Sequence, residues 1–189
     1  MHLLMAEKAN AILMRYNISS FPIPISTIEY IIENENIQLE YSKYIKKALY
    51  LEDNKKRYIY AGFEKNMDKL REYLVHEYGH TYHCGNAYFT NKIVIAKNEA
   101  QAKAFCAYFL MPIGIFEHYW EQYDNDYFLS ESFGVVISLV RFRKQLSISL
   151  IESGEYERLR YDLMLQQGGL CYERPYQEER FHMDNSLLR

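Results

Sequence analysis

Cysteine is scarce in this chain, and the three that occur, Cys84, Cys106 and Cys171, are far apart with no C-x-x-C pair. That excludes a disulfide framework and points to a reducing compartment. No charge of one sign dominates. With 22 Lys and Arg against 25 Asp and Glu, the net charge of -3 gives no global electrostatic case for nucleic acid, so direct nucleic-acid binding is not expected. Long apolar runs are missing too. No stretch approaches the ~18 consecutive apolar residues of a membrane span. The segment from Met1 to Tyr16 is amphipathic, with Glu7 and Lys8 inside it. It lacks the charged start, apolar centre and small-residue cleavage site of a signal peptide. A cytoplasmic protein with no membrane association is the expectation. One Trp stands against 19 Tyr, which reads as the bias of an AT-rich genome, in keeping with the frequent Ile, Asn and Lys. A length of 189 residues with 49% hydrophobic content suits one globular domain with a helical extension.

The most informative residues are His76-Glu77-Tyr78-Gly79-His80, which spell H-E-x-x-H. Residues at i and i+4 share one face of a helix, so His76 and His80 can direct two imidazole nitrogens at one Zn2+. Glu77 follows the first ligand and can act as general base toward a water at the metal. The surrounding sequence predicts a buried helix over 66–83, capped by Asn66 or Asp68, with Leu70, Leu74 and Tyr78 (or Val75) as its apolar stripe. Gly79 inside this helix costs up to ~1 kcal/mol relative to Ala, so another backbone or a substrate is expected to come close there. The bland alternative is a half-buried helix that happens to carry two histidines.

A hydrolytic zinc site needs three protein ligands and one open position. His83, at i+7, shares the face, but three ligands from one straight helix surround a metal poorly. Cys84 follows too soon after the helix to reach round the ion. Glu99 is the better candidate. It opens an Ala-rich segment through Leu110, bounded by Asn98 as a possible cap and by Pro112. Ala102, Phe105 and Phe109, with Cys106, can pack this helix on the histidine helix. On spacing alone, Glu99 as a ligand and Glu99 as a surface acid favoured by the helix dipole stand level.

At this point the sequence resembles the ImmA/IrrE family of zinc metallopeptidases, bacterial and phage proteins of which several cleave helix-turn-helix repressors. The matching residues are His76, Glu77, Gly79 and His80, then Glu99, Gln101, Ala102, Phe105, Leu110, Met111 and Pro112. Leu129 to Val135 and Leu139 to Arg143 are similar to a further family segment. The resemblance runs from about Tyr58 to Leu146. It implies His76, His80 and Glu99 as zinc ligands, Glu77 as catalytic base, and a protein substrate of the repressor type. It also implies an α+β fold: a zincin-like domain in which a small antiparallel sheet packs on the HExxH helix, followed by a mostly helical C-terminal part. One departure is Lys103, where the family carries Asn or Asp. Lys has no acceptor, so it cannot orient a ligand imidazole as such a residue would.

The rest of the chain reads as a helix over 3–16, an extended Phe21-Pro-Ile-Pro24, and a short helix from Thr27 to Glu33 capped by Ser26. A strand over 37–41 follows, and then a hairpin in which 48–51 and 58–60 flank the turn 53–56. This hairpin is the candidate for a sheet edge along which substrate lies extended. Pro112 starts a helix through Tyr123 with Ile113, Phe116, Trp120 and Tyr123 inward, while His118 faces elsewhere. Residues 129–146 resemble a helix-turn-helix with Gly134 in the turn and Arg141, Arg143 and Lys144 on its second helix. Those three cations leave DNA contact as one reading and packing or protein docking as the other. The division expected is a metallopeptidase domain over 1–125, a helical extension over 126–167 and a tail over 168–189. Three functions follow: a zinc endopeptidase that removes a repressor and so derepresses phage, mobile-element or stress genes; a non-catalytic regulator that holds a repressor, its zinc site structural or vestigial; or a DNA-binding regulator acting through 129–146.

Overall fold

The computed structural model describes residues 3–54, 56–82 and 91–166, with side chains as far as Arg160. His83, Cys84, Cys171 and the tail over 168–189 lie outside the described residues. The fold is a mixed α+β arrangement: a three-stranded sheet and, mostly, helices. Two helices open it, α1 (Leu3–Arg15) and α2 (Ile25–Asn34). The N-cap of α2 is Pro24 rather than Ser26, and no side chain caps it. Pro suits that place because its fixed φ and missing N–H cost nothing at the start of a helix.

The strands are β1 (Ile37–Tyr41), β2 (Ala48–Asp53) and β3 (Lys56–Ala61). The hairpin β2–β3 is antiparallel as expected, with Asn54 at φ 46° in its turn. The sheet as a whole, however, is not the antiparallel one anticipated. Its order is β1-β3-β2, and β1 runs parallel to β3. The chain between Tyr41 and Ala48 carries β2 past β3, so β2 is left at an edge. Alternation along β3 buries Ile59 and Ala61 against the helices.

Helix α3 (Met67–His80) carries the HExxH residues. Asn66 is its cap, and its side chain accepts from the amides of Asp68 and Lys69. Leu70, Leu74, Val75 and Tyr78 are buried. α4 (Lys92–Leu110) packs across it. A Cβ on Gly79 would lie 3.1 Å from both the Cα and the carbonyl oxygen of Ala102. The missing side chain at Gly79 therefore permits the two helices to touch backbone to backbone, the close approach its position predicts.

The remaining helices are α5 (Ile115–Gln122), α6 (Asp126–Phe133), α7 (Ile137–Glu152) and α8 (Glu155–Gln166). Phe116 is buried in α5, but Tyr123 is exposed rather than inward. Gly134 adopts the left-handed conformation (φ 58°, ψ 49°) that ends α6 and makes the turn into α7. Arg71 of α3 ties this turn down, donating to the carbonyls of Ile23 and Gly134. One buried cluster runs from Met5 to Leu159.

The cations of the helix-turn-helix segment do not form a free basic face. Arg143 is wholly buried: it donates to Glu117 Oε1 at 2.7 Å, to Ser147 and to the Met111 carbonyl. Arg141 is bound to Asp126, and Lys144 to Asp124 and Asp126. A guanidinium enclosed in this way cannot reach a phosphate. The reading of Arg143 as a DNA contact is therefore overturned by packing. No described helix is long and apolar enough to cross a membrane.

Candidate metal centre

Three groups converge where α3 crosses α4 beneath the edge of the sheet. His76 and His80 stand one turn apart on α3, their rings edge to face with centroids 4.9 Å apart. Their Nε2 atoms are 3.2 Å apart. Glu99 reaches them from α4, with Oε2 at 3.3 Å from His76 Nε2 and Oε1 at 3.4 Å from His80 Nε2. Zinc bonds to such donors are about 2.0–2.1 Å, so the donor–donor edges of a tetrahedron are about 3.3–3.4 Å. The three donors therefore form one face of such a tetrahedron, and this trio could hold a metal ion. Of the three, Glu99 has the most exposed side chain, at 57% against 24% for His76. An opening on its side suits a fourth, non-protein ligand.

Glu99 does not sit on the first turn of its helix. The helix starts at Lys92, with Asn91 accepting from the Ile93 amide as its cap, so Asn98 is an interior residue and Glu99 lies two turns in. The dipole argument for a surface acid loses its basis there. Gln101 and Ala102 follow at the start of the buried half of α4, in which Ala104 to Leu110 are all buried. That packing fixes the carboxylate's approach. Lys103, one turn on from Glu99, holds its ammonium 4.3 Å above the Phe142 ring.

Burial sets the electrostatics. It lowers the pKa of His76, against the opposing charge of Glu99, and favours the neutral imidazole that a metal requires. Glu77 stands beside the trio toward the sheet, and its Oε2 accepts from the main-chain N–H of Tyr50 at 2.8 Å. Burial, aided by the charge of Glu99 and opposed by that amide, pushes the Glu77 carboxyl up to about 7. A carboxyl poised near neutrality can take and return a proton. Cys106 is not a donor here; it is fully buried, its Sγ directed at the Glu72 carbonyl, and burial drives its thiol pKa up.

Tyr50 was not legible as part of this site. Its main chain takes part, and any residue in that register could do the same. The Gly62 amide donates to the Lys47 carbonyl at 2.7 Å. Counting by two along β2, residues 47, 49, 51 and 53 turn their main-chain groups toward β3, and Ala48, Tyr50 and Glu52 turn theirs to the open edge. The hydrogen bond to Glu77 is made from that edge.

An α+β protein with a His-His-Glu trio on an H-E-x-x-H helix belongs among candidate metallopeptidases. The family profile for the IrrE N-terminal-like domain, a peptidase family, matches residues 34–144. The chain belongs to that family. No curated protein and no solved structure matches it.

Proposed function

We propose that this chain is a zinc-dependent endopeptidase of zincin-like build, with His76, His80 and Glu99 as metal ligands and Glu77 as the catalytic base. The observation that carries the reading is the spacing of the three donors, 3.2–3.4 Å, beside a carboxyl whose pKa is raised to about 7. A zinc ion, when held by this trio, would supply Lewis acidity toward a water and a peptide carbonyl. The protein side of the chemistry belongs to Glu77, which accepts the proton of the attacking water and returns it to the leaving amine. The open edge of β2 gives an extended substrate a strand to pair with. Ala48 and Glu52 offer both main-chain groups there, and Tyr50 offers its carbonyl.

The substrate class proposed is a helix-turn-helix transcriptional repressor in the cytoplasm, whose removal derepresses phage, mobile-element or stress genes. The family resemblance supports it. We assign 1–125 to the peptidase domain, 126–167 to a helical extension and 168–189 to a tail. The test compares new protein N-termini in cells expressing the wild-type or the Glu77→Gln chain. A fragment of a repressor present only with wild type supports the proposal. Identical N-terminal sets from zinc-loaded proteins, at rest and under stress, sink the peptidase reading and leave a regulator that holds its partner without cutting it.

A further inference from the structure

A shallow groove of about 500 Å³, outside the metal centre, is lined by residues of α4, α6 and α7. Lys103, Phe142, Ser138, Gln145, Tyr127 and Arg141 line it. Lys103 is the group that links groove and centre. It stands on α4 one turn after Glu99, and its charge is felt at His76. Arg141 at the other end is already neutralised by Asp126 at 2.8 Å. Lys103 makes no ion pair among the described residues. Glu72 faces it from α3 without reaching ion-pair distance, and its half-buried carboxyl is held above its ordinary pKa by burial. The ammonium rests over the Phe142 ring instead, leaving its donors to the groove.

We propose that this groove is a substrate subsite that selects an acidic side chain, with Lys103 as the specificity-determining residue. The inference rests on the peptidase reading above and names a feature of the substrate. The charge argument is local: a cation with no carboxylate at bonding distance, over an aromatic face that already shields one side from water, gains most from an incoming carboxylate. Ser138 and Gln145 supply further hydrogen-bonding groups for the same guest. Four residues of helix separate Glu99 from Lys103, a rise of about 6 Å. An extended peptide advances about 3.3 Å per residue. A guest at Lys103 therefore lies within a few residues of the scissile bond.

Two measurements test this. In the first, a denatured bacterial proteome is cut by zinc-loaded wild type and by Lys103→Glu, and the cleavage sites are read by mass spectrometry. Wild-type sites should be enriched in Asp and Glu at one fixed position near the cut. Lys103→Glu should lose that enrichment and gain Lys or Arg at the same position, a reversal that a merely structural role would not produce. In the second, the Glu77→Gln protein is titrated with two fluorescent peptide pools, random except for a central Glu in one and Gln in the other. The Glu pool should bind at least five-fold tighter, and adding Lys103→Glu should abolish or invert the difference. Cleavage without acid preference, or equal binding of the two pools, overturns the subsite. Preferential binding of the Glu pool with no cleavage by wild type would retain the subsite and remove the peptidase reading.

Discussion

Glu77 Oε2 and the main-chain N–H of Tyr50 are joined by a hydrogen bond of 2.8 Å that links the HExxH helix to the open edge of β2. The proposed base and the proposed substrate platform are thereby fixed against each other. A substrate strand on β2 cannot use that N–H without displacing Glu77. Its register is set by the groups that remain, those of Ala48 and Glu52 and the Tyr50 carbonyl.

Replacing Glu77 by Gln keeps the shape of the side chain and removes its proton transfer. Cleavage should fall by about 10²–10⁴-fold, while the zinc content measured by elemental analysis stays at the wild-type value. A variant that cleaves at the wild-type rate would remove Glu77 from the mechanism.

Glu99→Ala leaves two histidines, and His76→Ala leaves one histidine and the carboxylate. Both should bind zinc far more weakly in competition with a chelator. Zinc should raise the thermal midpoint of wild type, because a ligand held only by the folded state stabilises it. That rise should vanish in both variants. An undiminished rise in Glu99→Ala would mean that the third ligand lies elsewhere.

The raised pKa of Glu77 has a signed consequence in the metal-free protein. The folded value, about 7, lies above the ordinary 4.5. The unfolded chain therefore releases this proton first, and stability falls as pH rises from about 4.5 to 7. A shift of that size corresponds to at most about 3 kcal/mol. Urea unfolding of metal-free Glu77→Gln should show a correspondingly flatter decline across that window. Parallel pH curves for the two proteins would contradict it.

Arg143 and Glu117 are both buried and bonded to each other and to Ser147. Arg143→Met alone leaves a buried carboxylate without its cation and should cost about 3–5 kcal/mol in chemical denaturation. Adding Glu117→Leu should restore much of that loss. A single variant as stable as wild type would mean that solvent enters the cluster.

Gly79→Ala should destabilise the chain by about 1–3 kcal/mol through overpacking, because its methyl would meet Ala102 at 3.1 Å. As Gly79 adjoins His80, the same change should weaken zinc binding in a chelator competition. Unchanged stability and unchanged affinity would show that α3 and α4 can separate freely.

The candidate site was more legible than its scaffold. His76, Glu77 and His80 could be read from helical periodicity, and Gly79 from the cost of a glycine in that place. Glu99 needed the family's ordered motif, because spacing alone left it level with a surface acid. The first two turns of α4 were hidden: Ile93, Val94 and Ile95 are β-branched and weak helix formers, and Asn98 offered a false start. The parallel pairing of β1 with β3 was beyond reach, since a turn signal fixes a hairpin and not which of its strands a third one joins. Arg143 read as a surface cation because sequence carries no mark of the Glu117 carboxylate, 26 residues earlier, that accompanies it into the interior.

Ordinary core contacts join two side chains, so a larger residue on one side can be offset by a smaller one opposite. The contact of Gly79 with α4 differs: beside the Phe105 ring at 3.2 Å, what it meets is main chain. The nearest atoms a methyl would meet are the Cα and carbonyl oxygen of residue 102, which every amino acid possesses. Shrinking Ala102 itself to Gly would free no space. Position 79 is thus closed to compensated drift: descendants of this chain can exchange side chains across most of the core, but a residue larger than glycine here requires the two helices themselves to move apart.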